Sequence, residues 1–464
     1  MRSDLPDGGS VAAVDHREGH SSSEGGDAVA AGVRSEEPGT DIPPPRMLSP
    51  DDAPSGQAPN AVTLDQVINA TLLADPRLRA GFEAINQAYG EALQASLRPN
   101  PTFSIAQTLL PLTRPFTVDA QGGPPQLDVG ISYPIDWFVF GKRAAAMQAA
   151  LLNVRVSEAE FADLVRQRVV EAATAYYDVL EAKSLLELAR QDAANFRQVE
   201  AITQRAVEGG GRPKVELGRV RLDRLRAEQS VRDAENALVA AKARLRAVMG
   251  LGDFDPSFDV SGTLDEITVP DLPTVEEAFG IAVENRPDIA ALQWRIQQSR
   301  AQMLVEKRQA FPEVVPQIGY TRQFQRKAIG FPDANSWGVG LEVGLPLFDR
   351  NQGNRYRAAS VAVQQQLELQ AGLVELRAEV IEADQNLRTA LANARAVAEQ
   401  QLTLANEVRN SLNRAYEEGG RPLIDVLDAQ RNFRETYRLF IESRANLGRA
   451  AVRYNAVLGK RVTP

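Results

Sequence analysis

The 464-residue chain is predicted to be mainly α with a small β part, built as two tandem copies of one unit. Three observations carry that reading: a repeated glycine turn, a long heptad seam, and two short segments that alternate between apolar and small or polar residues, each with a less regular partner. "VEGGGRPKVELGRVR" begins at residue 207, and "YEEGGRPLIDVLDAQ" begins at 416. Arg212 and Arg421 are thereby equivalent. The equivalence extends along the chain: "LLADPRLRAG" matches "AVENRPDIAAL" with Pro76 on Pro287, "VGISYPIDWF" matches "VGLEVGLPLF" with Pro134 on Pro346, and "AVMG" matches "AVLG" with Gly250 on Gly459. Self-similarity at a fixed period marks a duplicated unit. The boundaries fall at 61–262 and 263–464, after a tail of residues 1–60.

Each unit reads as a short helical segment (61–98, then 274–310), two strands, a helix of about 67 residues, the glycine turn, and a second short helix (213–249, then 422–458). In the second unit the long helix has a seam at Leu376, Val380, Ala383, Leu387, Ala390, Ala394, Val397, Gln401, Leu404 and Val408. Steps of three and four, sustained in this way, predict left-handed coiled-coil packing. Val165, Val169, Ala172, Tyr176, Val179 and Leu186 repeat the period in the first unit. A helix of 67 residues is roughly 100 Å long at ~1.5 Å per residue. The two short helical segments, stacked end to end, would span the same length and complete an antiparallel layer.

The strand segments 127–138 and 337–348 place Leu127, Val129, Ile131, Tyr133, Ile135 and Trp137, and Trp337, Val339, Leu341, Val343, Leu345 and Leu347, on one face. The other face is small or polar. Ten-residue strands of this kind suit a membrane-spanning barrel, and a soluble sandwich edge is the competing reading. Four strands cannot close a barrel, which needs about eight, so the barrel reading requires several copies of the chain.

Composition narrows the function classes. Residues 1–60 hold four Arg against eleven Asp and Glu, so most of the formal charge of −9 lies in the tail and the body is nearly neutral. No basic field remains for a nucleic-acid backbone. The tail, rich in Gly, Ser, Pro and acids, is expected to be disordered. There is no cysteine, and the two histidines, His16 and His20, lie in the tail. Their i, i+4 spacing could hold a metal if helical; a solvated tail is the simpler reading. Without histidine in the body, general-base catalysis loses its usual agent, and an enzyme is not expected. No secretory apolar segment follows Met1, and no run of about 18 apolar residues suggests a transmembrane helix.

At each glycine turn, glycine supplies the left-handed backbone that ends one helix, and Pro213 or Pro422 suits the start of the next. Arg421, Asp425 and Asp428 share one face of the returning helix. Two readings stand: acids near a helix N-terminus complement its dipole, or several such tips converge on a pore that the carboxylates make cation-selective.

The tandem unit, "GKRAAAMQAA", "LPLFDRNQGN" and "YEEGGRPLIDVLDAQ" together resemble the TolC-like outer-membrane efflux protein family over residues 61–460. The resemblance implies a homotrimer with a twelve-stranded barrel in the outer membrane and a helical coiled-coil barrel across the periplasm. It also implies an inner-membrane pump, of the proton-driven RND type, and a periplasmic adaptor as partners, with no cofactor. Tyr416, Arg421, Asp425 and Asp428 would constrict the periplasmic entrance, with Glu216 where the family often has aspartate. The tips at Gly209, Gly210, Gly211, Arg212, Gly419 and Gly420 would meet the adaptor, and Trp137, Phe138 and Trp337 would lie at the membrane interface. "GKR" and "LPLFDRNQGN" are most similar to outer-membrane partners of heavy-metal cation efflux systems; with no His, Cys or Met cluster, a metal would pass as a transient guest in an acidic lumen. The alternative function is a coiled-coil scaffold or periplasmic adaptor outside the membrane.

Overall fold

The computed structural model describes residues 61–463 except 121, 211, 254, 256, 268, 418 and 419. The disorder expected for residues 1–60, and the pair His16 and His20, lie outside the described residues.

In the first repeat, β1 (Ala61–Val62) leads to α1 (Leu64–Ala74), α2 (Pro76–Ser96), β2 (Thr102–Thr108), β3 (Gln126–Ser132), a one-turn α3 (Asp136–Val139), α4 (Lys142–Glu208), α5 (Lys214–Val248) and β4 (Asp259–Val260). The second repeat has α6 (Val275–Asn285), α7 (Pro287–Gln309), β5 (Val314–Gln323), a short α8 (Gln325–Ile329), β6 (Ala334–Val343), α9 (Gln352–Ala396), α10 (Leu402–Glu417) and α11 (Leu423–Leu458). The expected long helix of 67 residues is α4, at that length.

The duplication extends to the caps. Thr63 and Gln66 form a capping box at the start of α1, and Thr274 and Glu277 form the same box at α6. Each box satisfies two backbone N–H groups that a helix start leaves open. The segments 61–98 and 274–310, expected as continuous helices, are each broken. Asp75 and Arg286 precede Pro76 and Pro287 and are extended, with ψ of 116° and 119°. The proline ring disfavours helical geometry in the residue before it, while proline itself suits the first position of α2 and α7. Asp75 also caps α2, its Oδ1 accepting from the Arg77 N–H at 2.9 Å.

The seam of α9 is as expected down to Val397: Leu376, Val380, Leu387 and Ala394 are at most 1 % exposed. It then shifts. Val397–Gln401 form a π-turn, which inserts one extra residue into the helix. Leu404 and Val408, expected to continue the seam, are therefore exposed, and Leu402, Ala405, Arg409, Leu412 and Tyr416 turn inward.

Two apolar clusters anchor the middle of the helices. One joins α1, α4, α5, the parallel β1–β4 pair and α11 through Val67, Val179, Leu245, Val260 and Ala445. The other joins α6, α9 and α11 through Leu376, Leu387, Leu447 and Tyr454. Burying each Leu is worth about 1.5–3 kcal/mol. Gly250 and Gly459, both with positive φ, end α5 and α11 where a Cβ would meet the carbonyl oxygens of Ala74 and Asn285 at 2.5 and 2.7 Å.

The four remaining strands form one antiparallel sheet in the order β2-β3-β5-β6. The first two are shorter than expected. β3 stops at Ser132: the Tyr133 and Ile135 N–H groups still donate to the Pro316 and Val314 carbonyls at 3.2 and 2.9 Å, but Pro316 has no N–H to return, and Trp137 and Phe138 lie on α3 rather than on a strand. β6 stops at Val343, short of the expected 348. The register aligns Phe103, Ile131, Ile318 and Val339 in one cross-strand row, and Ile105, Val129, Tyr320 and Trp337 in another. Rows of the opposite face read Ser104, Gly130, Gly319, Gly338 and Ala106, Asp128, Thr321, Ser336. Asp128 there accepts from the Thr321 hydroxyl at 2.6 Å.

The motifs "GKR" and "LPLFDRNQGN" tie this sheet to the helices. Lys142 pairs with Asp136 at 2.8 Å, and Arg143 Nε donates to the Ser96 carbonyl at 2.5 Å. Asn351, in the left-handed region at φ 56°, donates from Nδ2 to the carbonyl and the carboxylate of Glu306 at 2.9 and 2.8 Å.

Candidate functional site

The two glycine turns lie at the ends of α4 and α10, where a small cluster of Phe196, Val220, Ala227 and Leu427 joins the repeats, with Tyr416 packed against it. Gly209 caps α4 and Gly210 takes φ 76°, the left-handed geometry expected of the turn. In the second turn Gly420 N–H donates to the Ala415 carbonyl at 2.8 Å. Gly211 and Gly419 lie outside the described residues.

Both turns carry the same local ion pair. Arg212 reaches Glu216 at 3.4 Å, and Arg421 reaches Asp425 at 3.6 Å, each four residues along the returning helix. Such pairs are individually weak, about 0.3–0.5 kcal/mol. The Arg421 side chain is 61 % exposed. Asp428 is exposed and pairs with Arg431 at 3.3 Å rather than with Arg421. The acidic pair of the second turn thus keeps to its own helix within the chain.

A cation–π contact also crosses between the repeats. The Arg212 guanidinium lies over the Tyr416 ring at 4.8 Å from its centroid, joining the first turn to α10 by a cation–π interaction of about 0.5–2 kcal/mol. Sequence spacing could not reveal it, since 204 residues separate the partners; the π-turn before α10 is what turns Tyr416 inward. A second such contact, Arg409 over Phe433 at 3.7 Å, has the same origin.

At the sheet, Trp137 is half-buried, donating from Nε1 to the Pro134 carbonyl at 2.8 Å with Arg143 and Arg98 over its ring. Phe138 and Trp337 project outward, 75 % and 76 % exposed. Trp337 packs against Tyr320 at 5.4 Å. No group of three potential metal ligands occurs among the described residues.

The chain is 26 % identical over 408 residues to the cobalt-zinc-cadmium resistance protein CzcC of Cupriavidus metallidurans, covering 87 % of this chain and 88 % of that protein. It is 25 % identical over 352 residues to protein CyaE of Bordetella pertussis, covering 73 % of each. Among solved structures, CusC superposes with a TM-score of 0.71 at 17 % identity, over 86 % of this chain and 92 % of that one. The outer membrane protein VceC of Vibrio cholerae superposes with a TM-score of 0.66 at 18 % identity, over 86 % and 96 %. The pattern that defines outer membrane efflux proteins matches residues 67–251 and 279–460, once for each repeat, and the chain belongs to the outer membrane efflux protein family.

Proposed function

We propose that the chain is one third of a trimeric exit duct, standing in the outer membrane of a Gram-negative-type bacterium with its helices in the periplasm. It works without catalytic chemistry, receiving cargo from an RND-type inner-membrane pump through a periplasmic adaptor. The observation that carries this reading is the sheet. Its apolar rows are exposed, with Phe103 at 63 %, Ile131 and Ile318 at 50 % and Val339 at 87 %. Among the described residues, both edge strands, β2 and β6, lack a partner on one side. An apolar outer face suits lipid, and open edges are relieved by closure with neighbouring copies. Three four-stranded sheets would make twelve strands. No described helix is long and apolar enough to cross a membrane, so spanning would fall to the sheet.

The helices carry matching surfaces. α9 exposes Val363, Leu367, Val374 and Ile381, and α5 exposes Val215, Leu222 and Val239, largely at heptad spacing. Such seams suit helices of adjacent copies. Within this reading, residues 61–262 and 263–464 are successive duct modules. Tyr416, Arg421, Asp425, Asp428 and Glu216 constrict the entrance, while Gly209, Gly210, Gly211, Arg212, Gly419 and Gly420 face the adaptor. Trp137, Phe138 and Trp337 lie near the membrane interface. Divalent metal cations are the cargo favoured by the similarity to a cobalt-zinc-cadmium resistance protein, and drugs the second class.

Sedimentation of the detergent-solubilised protein tests the assembly. Three chains per particle are expected, and a detergent-independent monomer would overturn the duct.

A further inference from the structure

A cavity of about 580 Å³ opens between α4, α10 and α11 near the glycine turns. Its volume lies within the usual range of small-molecule sites, about 300–1,000 Å³. Its chemistry is one-sided. Arg409 and Arg212 contribute positive charge, the amides of Asn195, Asn413 and Gln430 contribute polar groups, and no described carboxylate lines it. Of the nearby acids, Asp192 pairs with Arg434 and Glu200 with Arg221 and Arg224, while Glu216 offsets Arg212 and leaves Arg409 uncompensated.

Three groups in the cavity are left short of partners. Among the described residues the half-buried Arg409 has no ion pair; its Nη2 donates to the amide oxygens of Asn406 and Asn410 at 2.7 and 3.5 Å, and its plane rests on Phe433. Burial without a countercharge pushes its pKa down. Thr203 is fully buried, and its hydroxyl has no hydrogen-bond partner. The buried Gln430 Oε1 is likewise unpaired. An unsatisfied buried polar group costs about 1–3 kcal/mol, so two of them beside an uncompensated guanidinium mark a site shaped for something that supplies the missing partners. Val199 and Ile202, beside Thr203 on α4, and Val426, one turn before Gln430 on α11, add apolar surface to the same cavity.

We propose that this cavity binds a small organic anion, with its acidic head against Arg409 and the Thr203 hydroxyl and its apolar body against Val199, Ile202 and Val426. The Gln430 amide completes the head-group site, donating from its NH₂ when turned about its last bond. A charge-assisted hydrogen bond to the guanidinium supplies most of the selectivity for an anion over a neutral analogue. Since Arg212 and Tyr416 also line the cavity, an occupant braces α10 against α4 and holds the two turns in the arrangement seen here.

Calorimetric titration of the intact detergent-solubilised protein with 1-naphthoate, and with neutral 1-naphthamide, tests the site without requiring a conducting pore. One naphthoate per chain is expected, with the amide binding at least tenfold more weakly. Arg409→Gln should weaken naphthoate at least tenfold, Arg409→Lys less, and Thr203→Val about threefold. Arg438→Gln, which removes an exposed arginine elsewhere on α11, should leave it unchanged. Equal binding of acid and amide, no saturable binding, or a Kd unmoved by both Arg409 variants would overturn the proposal.

Discussion

Asp75 pairs with the buried Arg168 at 2.5 Å across 93 residues of chain, and the same two positions in the second repeat, Arg286 and Glu379, pair at 2.7 Å across the same 93 residues with the charges exchanged. In each case a residue at the break between two short helices reaches the long helix of its own repeat. Arg168 is further held by Glu171, and Arg286 by Asp288 at 2.5 Å. The exchange means that a short helix docked on the wrong repeat would set acid against acid or arginine against arginine, a built-in penalty for mispairing.

The first prediction concerns that pair. Asp75 and Arg168 side chains are only 2 % and 7 % exposed, so Asp75→Ala, which leaves the buried guanidinium with Glu171 alone and removes the cap of α2, should cost about 2–4 kcal/mol. The exchanged double variant Asp75→Arg with Arg168→Asp should recover part of the loss. Denaturant unfolding followed by circular dichroism checks both. A loss below about 1 kcal/mol for Asp75→Ala would show the pair to be dispensable.

Acid should loosen the middle of the first repeat. At Asp259 burial works to raise the carboxyl pKa, but hydrogen bonds from Lys183 and Lys242 outweigh it and hold the value below the usual range. A carboxylate depressed in the folded state adds stability that is complete above its unfolded pKa, about 3.9, and is lost as pH falls through the lower folded value. Stability should therefore fall below about pH 4, and replacing both lysines by methionine should flatten that part of the profile in a pH series of melting curves.

The equivalent glycines at the ends of α5 and α11 should be intolerant. Gly250→Ala and Gly459→Ala each combine positive φ with a backbone clash, and each should cost more than the ~1 kcal/mol usual for φ strain alone. Gly280→Ala, in open space within α6, should instead stabilise by about 0.5–1 kcal/mol. Matched denaturation curves separate the two classes, and equal losses at all three positions would contradict the packing described.

Removing one residue from the π-turn, as in deletion of Ala398, should close it into regular α-helix and leave α10 in its present register, because a π-turn is one residue inserted into an α-helix. Tyr416 and Arg409 would then stay in the interface, with Leu404 and Val408 outside it. Limited proteolysis should find α10 as resistant as before, whereas new sensitivity of α10 would mean that the π-turn does not set the register.

Much of this fold was legible in the sequence because duplication and heptad spacing are properties of residue order. The glycine turns, the two long helices and the apolar strand faces with Ile131 and Val339 all follow from it. The helix breaks were legible too, in "ADP" and "NRP", once the constraint on residues before proline is applied. The π-turn was not, since Gln401 fits an α-helical seam as a lone polar member and only packing against α11 reveals the extra residue. The end of β3 depended on Pro316 in the neighbouring strand, which has no N–H to return to Tyr133 and leaves untouched the alternation that continues to Trp137. At the candidate gate, the pairs Arg212–Glu216 and Arg421–Asp425 are local and could be read from spacing. Arg212 over Tyr416 is a tertiary contact, set by how the repeats pack.

Conductance across a planar lipid bilayer tests the central claim most directly, using purified protein with and without Asp425→Ala and Asp428→Ala, and a second variant with Arg421→Ser and Tyr416→Phe. The account predicts small, cation-selective currents whose selectivity disappears in the aspartate variant and whose size increases in the arginine–tyrosine variant. A protein that remains soluble without detergent and never inserts, or currents indifferent to all four substitutions, would contradict it.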